Sequence, residues 1–236
     1  NTLSSSWVHR KPKTVSSTPS RKANHFATNL EKAMNKAYIV EAKRTPVGKA
    51  RGYFARTRAD DLLIHSIQSV LSAADSTQQV NNNIDDIIVG CAMPEGPQGL
   101  NVARISTLLA GLPDSTPAYT LNRFCSSGLQ SVANAAELVK SGSADLVIAA
   151  GVESMSSVPM MGFKPSINPK VLEDENIAIA YGMGLTAEKV VEKYNISREA
   201  QDEFAYNSHQ KAILANKNSL FEEEISPITT NETTYS

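Results

Sequence analysis

From Met34 onward, short runs of consecutive apolar residues alternate with longer stretches in which apolar residues return every three or four positions. The first pattern predicts strands, of which Asp86 to Ala92 reads as buried on both faces, and the second amphipathic helices. Ala37 to Ala42 (AYIVEA), Asp86 to Ala92 (DIIVGCA), Ala118 to Asn122 (AYTLN) and Leu146 to Ala150 (LVIAA) are the strand-like runs. Between the first two, Leu62, Leu63, Ile67, Val70, Leu71 and Ala74 hold one helical face behind a Thr57/Asp60 capping box. Val102, Ile105, Leu108 and Leu109 mark a second helix that Gly111 and Pro113 stop, and Ser126 to Lys140 is a third. Strand and helix in strict alternation imply parallel strands joined by right-handed crossovers, with helices covering the sheet. The predicted fold class is α/β with a parallel-dominated sheet.

Outside this block the pattern breaks down. Residues 1–33 carry six Lys/Arg, one acid (Glu31), six serines and four threonines, with no periodic apolar face. Such a stretch buries too little surface to offset its ordering entropy and is expected to be disordered. It reads either as an upstream extension, since Met34 opens directly onto the first strand, or as a basic, acid-poor organellar transit peptide. Residues 154–181, rich in Met, Ser, Pro and Asn, are expected to form a long loop of the kind that is functional or mobile. Two helices follow, Thr186 to Tyr194 and Ser197 to about Asn216, then the acidic Glu222, Glu223 and Glu224 and a Thr-rich tail with no closing strand or helix. The expected organisation is a leader (1–33), an α/β domain (34–153) and part of a second domain (154–236).

Charge and composition narrow the choice of partner. With 23 Lys+Arg against 24 Asp+Glu the net charge is -1, which offers no general capture of a polyanion and makes nucleic acid a poor candidate. No apolar run approaches the ~18 residues of a membrane span. The two cysteines, Cys91 and Cys125, show neither a disulfide framework nor Cys/His metal spacing. A reducing compartment is expected, cytoplasmic, or the mitochondrial matrix if residues 1–33 are a transit peptide.

Cys125 is the residue most suited to chemistry. It follows a predicted strand and opens a helix, where unsatisfied N–H groups and the helix dipole favour a thiolate and offer donors to an oxyanion. On physics alone a packed core cysteine is an equally good reading. The small residues Ser126, Ser127, Gly128, Ser131, Ala133, Ala135 and Ala136 predict a helix seated close to its neighbours. A cysteine nucleophile needs a base, yet His9 and His25 lie in the leader, and His65 and His209 read as solvated helix positions. Cys91, at the end of the second strand, reads as core packing.

Several ordered segments then narrow the reading. Asn122-Arg123-Phe124-Cys125-Ser126-Ser127-Gly128 resembles the nucleophile signature of thiolases, and the likeness continues through Gln130-Ser131-Val132. Arg44 to Lys49 (RTPVGK), Pro94 to Arg104 (PEGPQGLNVAR), Gly151 to Ser156 (GVESMS) and Met183 to Glu188 (MGLTAE) are similar to thiolase segments in family order. The resemblance, which runs from Met34 to about Thr230, implies a thiolase-like N-terminal half followed by part of a helical loop domain. It implies thiolytic cleavage of a 3-oxoacyl-CoA, with Cys125 as the acylated nucleophile whose backbone N–H helps hold the thioester oxyanion. Coenzyme A enters as co-substrate, no further cofactor is implied, and the full-length protein is expected to be a homodimer or homotetramer. Met155, Met160 and Met161 belong to the stretch that would begin the substrate-covering loop. The absence of a His after Pro159 favours the degradative 3-ketoacyl-CoA type over the acetoacetyl-CoA-forming type. The family's Gly-His-Pro, Asn-Glu-Ala-Phe-Ala and Cys-x-Gly segments do not occur in this sequence, so the chain is expected to be an incomplete fragment, inactive alone.

Overall fold

A computed structural model of the chain describes residues 3–9, 36–74, 79–173, 182–230 and 233–236. The strands β1 (Leu3–His9), β2 (Tyr38–Lys43), β3 (Asp86–Gly90), β4 (Ala118–Leu121) and β5 (Leu146–Gly151) form one sheet in the order β2-β1-β5-β3-β4. β3 lies between β4 and β5 and is parallel to both, as the alternation of elements predicts. β1 runs antiparallel to β2 on one side and β5 on the other. The expectation of a disordered leader is thus corrected over Leu3–His9: backbone pairing on both edges supplies what an apolar face does not. The rest of that leader, His25 included, lies outside the described residues.

The central parallel strands, β5 and β3 from Ile87 on, are apolar throughout because they are sandwiched, whereas the edge strand β4 carries Tyr119 and Thr120 and is only partly buried. Ile87, Val89 and Cys91 on β3 and its extension, with Ile148, Ala150 and Val152, face α1 (Ala59–Ala74) and α2 (Val102–Leu109), packing on Leu63, Ile67, Val70 and Val102. Alternate residues Ile88, Val147 and Ala149 face α3 (Ser127–Ser141) and pack on Ala135 and Val139. Gly142, at φ +78°, ends α3 in the left-handed turn that glycine tolerates best.

Two local expectations change. The α1 capping box does not form: the Thr57 hydroxyl is buried without a hydrogen-bond partner, and the Arg58 guanidinium instead forks onto Asp60 at 2.9 and 2.7 Å. Nor is the tail without strands. β6 (Ile228–Thr230) and β7 (Thr233–Tyr235) pair antiparallel. Ile228 packs on Phe54 and Leu62, and Tyr235 stacks on Tyr53 with centroids 4.3 Å apart.

The chain divides into two compact units, one of residues 1–163 with 224–236 and the other of 164–223. The expected boundary at 153/154 therefore falls short, because Glu95 accepts the Phe163 N–H at 2.7 Å and keeps residues up to 163 with the sheet. The tail returns to the first unit through Arg44, whose N–H donates to the Glu224 carbonyl and whose Nε donates to the Glu224 carboxylate at 2.7 Å. The second unit holds α4 (Lys170–Glu173), α5 (Met183–Tyr194) and α6 (Arg198–Lys217). The Ser197 side chain caps α6 by accepting from the Ala200 N–H.

Candidate active site

The parallel strands end at one rim of the sheet, where open α/β folds place their ligands, and Cys125 lies there. Three residues separate the end of β4 from Cys125, and Ser126 is the N-cap of α3. The chain turns sharply because Phe124 adopts φ +48°, a left-handed conformation uncommon for an aromatic residue. The turn is secured from within. The Phe124 N–H donates to Asn122 Oδ1 at 2.8 Å, and the Arg123 N–H donates to Ser127 Oγ at 2.8 Å. Ser126 and Ser127 N–H groups donate to the carbonyls of Arg123 and Phe124. The four amides flanking Cys125 are therefore engaged locally, which narrows the broad donor set expected of a helix start. Cys125 itself is a free, exposed thiol.

The turn sits low because α3 approaches β3 very closely. A Cβ on Gly90 would stand 2.3 Å from the Ser127 carbonyl carbon and 2.6 Å from the Gly128 nitrogen, so only glycine fits at Gly90. Ser131 completes the contact by donating to the Ala150 carbonyl at 2.8 Å. Of the small residues expected to let α3 sit deep, Ser127, Gly128, Ser131 and Ala135 are buried, whereas Ser126 and Ala133 are exposed.

The other thiol is of a different kind. Cys91 is 1% exposed, and burial, with the neighbouring Glu153 charge second, pushes its pKa up to about 12. Among the described residues no group of His, Cys, Asp and Glu is arranged to hold a metal ion. His65 is half-buried rather than solvated. Its Nε2 lies 3.1 Å from Ser226 Oγ, which lies 2.7 Å from Ser69 Oγ, so this histidine fastens the tail to α1. His209 lies on the exposed face of α6.

The three methionines separate. Met155 lines a cavity of about 280 Å³ with Val47 to Ala50, Phe54, Leu62 and Glu153 to Ser156, whereas Met160 and Met161 are exposed and form no part of it. The Arg51 N–H donates to Ser156 Oγ at 2.8 Å and joins the two loops that make this cavity. Cys125 is not in its wall.

A family model described as the thiolase N-terminal domain matches residues 37–235, nearly the whole chain beyond β1. The chain belongs to the thiolase family. A 3-ketoacyl-CoA thiolase of Bacillus subtilis is 48% identical over 198 residues, covering 83% of this chain and 49% of the relative. A beta-ketoadipyl-CoA thiolase of Acinetobacter baylyi is 41% identical over 217 residues, covering 83% and 52%. A 3-ketoacyl-CoA thiolase of Cronobacter sakazakii is 42% identical over 199 residues, covering 82% and 49%. The chain thus spans about half the length of the curated relatives it matches.

In this thiolase domain, sequence reasoning singled out Cys125 but assigned no role to three polar residues linked to its turn through hydrogen bonds, Asn122, Gln98 and Glu153. Their motifs were visible. Their joint role was not, because Glu153 meets the Ala92 amide 61 residues away and Asn122 meets the Ala92 carbonyl 30 residues away.

Proposed function

We propose that the full-length protein is an acetyl-CoA C-acyltransferase that cleaves a 3-oxoacyl-CoA by thiolysis. The observation that carries this reading is an exposed, free thiol at Cys125, held on a strained turn at the strand-end rim of a thiolase N-terminal domain. In the first half-reaction the Cys125 thiolate attacks the C3 carbonyl. The C2–C3 bond breaks, its electron pair leaves as the acetyl-CoA carbanion, and a proton delivered to that carbon releases acetyl-CoA. The acyl group remains on Sγ as a thioester. In the second, the thiol of coenzyme A loses its proton and attacks the thioester carbonyl, giving a shortened acyl-CoA and free Cys125. The Cys125 N–H is the amide assigned to the developing oxyanion, since those on either side already donate within the turn.

Coenzyme A and acyl-CoA are the small-molecule partners of this reading, with no further cofactor. The full-length protein is read as a homodimer or homotetramer in the cytoplasm. Pro159 is followed by Met160, Met161 and Gly162 rather than a histidine, which supports degradative, broad chain-length use, with Met155, Met160 and Met161 read as part of a substrate-covering loop. Two of the relatives above are named 3-ketoacyl-CoA thiolase. The alternative within the family is the acetoacetyl-CoA-forming direction, and outside enzymology a thiolase-like binding subunit. Mass spectrometry after mixing the full-length protein with a 3-oxoacyl-CoA separates an acyltransferase of either direction from a binding subunit. An acyl mass on the peptide bearing Cys125, absent in Cys125→Ala, is expected, and its absence from the wild type would leave only the binding role.

A further inference from the structure

The rim that carries Cys125 is laced together by one continuous polar chain. Glu153 lies two residues past β5, Ala92 two past β3, and Asn122 one past β4, so the three mark the ends of the parallel strands in their spatial order β5-β3-β4. The Glu153 carboxylate accepts the Ala92 N–H at 2.7 Å. On the far side of the same residue, the Ala92 carbonyl accepts Asn122 Nδ2 at 2.9 Å, and Asn122 Oδ1 takes the Phe124 N–H at 2.8 Å. Phe124 is the strained residue immediately before the thiol.

Glu153 is fixed in turn by Gln98, which is fully buried. Gln98 Nε2 donates both to the other Glu153 oxygen and to the Met93 carbonyl, and its Oε1 accepts the Ser154 N–H at 2.9 Å. A carboxylate can take both donors at once because each oxygen is an acceptor, whereas an amide would present hydrogens to one of them. Strand ladders alone extend no further than Val152 and Cys91, whose N–H groups reach the Gly90 and Leu121 carbonyls. Beyond that point the Cys125 turn depends on side chains to hold its place.

We propose that Glu153 is a positioning residue for Cys125, acting through Ala92 and Asn122 to hold the left-handed turn at Phe124. The proposal rests on Cys125 being the nucleophile. It predicts that loosening Glu153 displaces Sγ from the attacked carbonyl without removing any group that touches substrate. Misplacement of about 1 Å can cost on the order of 100-fold in rate.

The test is steady-state thiolysis by the full-length protein bearing Glu153→Ala, Glu153→Gln, Asn122→Ala or both alanine changes, each checked by thermal melting. Expected is a fall in kcat of roughly 30- to 100-fold for Glu153→Ala, in keeping with such a displacement, while KM for acyl-CoA stays within about twofold. Glu153→Gln keeps one acceptor and should recover part of that loss. The double variant should be little worse than the poorer single one, because two links of one chain fail together. Multiplying losses, or a rise in KM with kcat intact, would overturn the proposal. If Glu153→Ala does not fold, Glu153→Gln and the exposed Asn122→Ala carry the comparison. A wild type that forms no acyl-enzyme would sink the nucleophile assignment and this inference with it. A wild type that acylates alongside variants of unchanged kcat would sink the positioning role alone.

Discussion

Cys91 and Cys125 each follow a parallel strand, yet they occupy opposite environments, one sealed between sheet and helices and the other exposed on the turn into α3. With a pKa of about 12, Cys91 is about one part in ten thousand thiolate at pH 8. Iodoacetamide at that pH should therefore modify Cys125 at least a hundred times faster, a ratio measurable by peptide mass spectrometry. Equal rates would refute the assignment. His65 offers a second reading at this scale. Burial lowers its pKa below the ordinary 6.5, outweighing the hydrogen bond with Ser226, so the unfolded chain binds a proton there more readily than the folded one. Its contribution to stability is complete above pH 6.5 and lost as pH falls through the lower, folded value. The melting temperature should drop more between pH 7 and 5 in the wild type than in His65→Gln. Cys125 was legible because a strand-to-helix junction is written in consecutive residues. The His65–Ser226 contact was not, since 161 positions separate its ends.

At the scale of elements, the contact between β3 and α3 decides where the thiol stands. Gly90→Ala would press a methyl group into the backbone of Ser127 and Gly128, and the helix start would have to rise. Overpacking of this kind costs about 1–3 kcal/mol. Lowered melting temperature together with slowed acylation of Cys125 is the expected pair of results, and a variant that melts normally would show that the contact yields easily. β3 and β5 were legible because a sandwiched strand must be apolar on both faces, and the half-exposed β2 and β4 because they too are short apolar runs between helical stretches. β1 was not. Its sequence, Leu3 to His9 (LSSSWVH), has the polarity of a linker, yet its backbone pairs on both sides as a strand. Among the described residues β2 reaches the sheet through β1 alone. Deleting residues 1–33 should then lower the melting temperature by roughly 5 °C or more, the shift that about 2 kcal/mol produces in a chain this size. An unchanged melting temperature would return that segment to the status of a leader.

Across the whole molecule the two units are unequally buried. The first has a layered core, whereas α5 and α6 have no buried residue, and Phe204 and Ile213 on α6 are 79% and 60% exposed. The sequence conveyed the apolar spacing of α6 but not its exposure, because periodicity predicts a face and is silent about what covers it. The thiolysis proposed above sets its own demands in chemical terms. A thiolysis cycle moves a proton off the nucleophile, one onto the acetyl-CoA carbanion and one off coenzyme A, while the described polar groups around Cys125 are engaged in holding the turn. Neither His65, bound to Ser226, nor Cys91, at a pKa of about 12, is suited to the work. Members of a catalytic set fail as a unit, with losses of several orders of magnitude when one is missing. The 236-residue chain should therefore react with iodoacetamide at Cys125 yet turn over 3-oxoacyl-CoA at least a thousandfold more slowly than a protein of its relatives' full length, assayed side by side. Comparable rates would mean that a base within these residues serves Cys125, and His65→Gln and His209→Gln would then identify which.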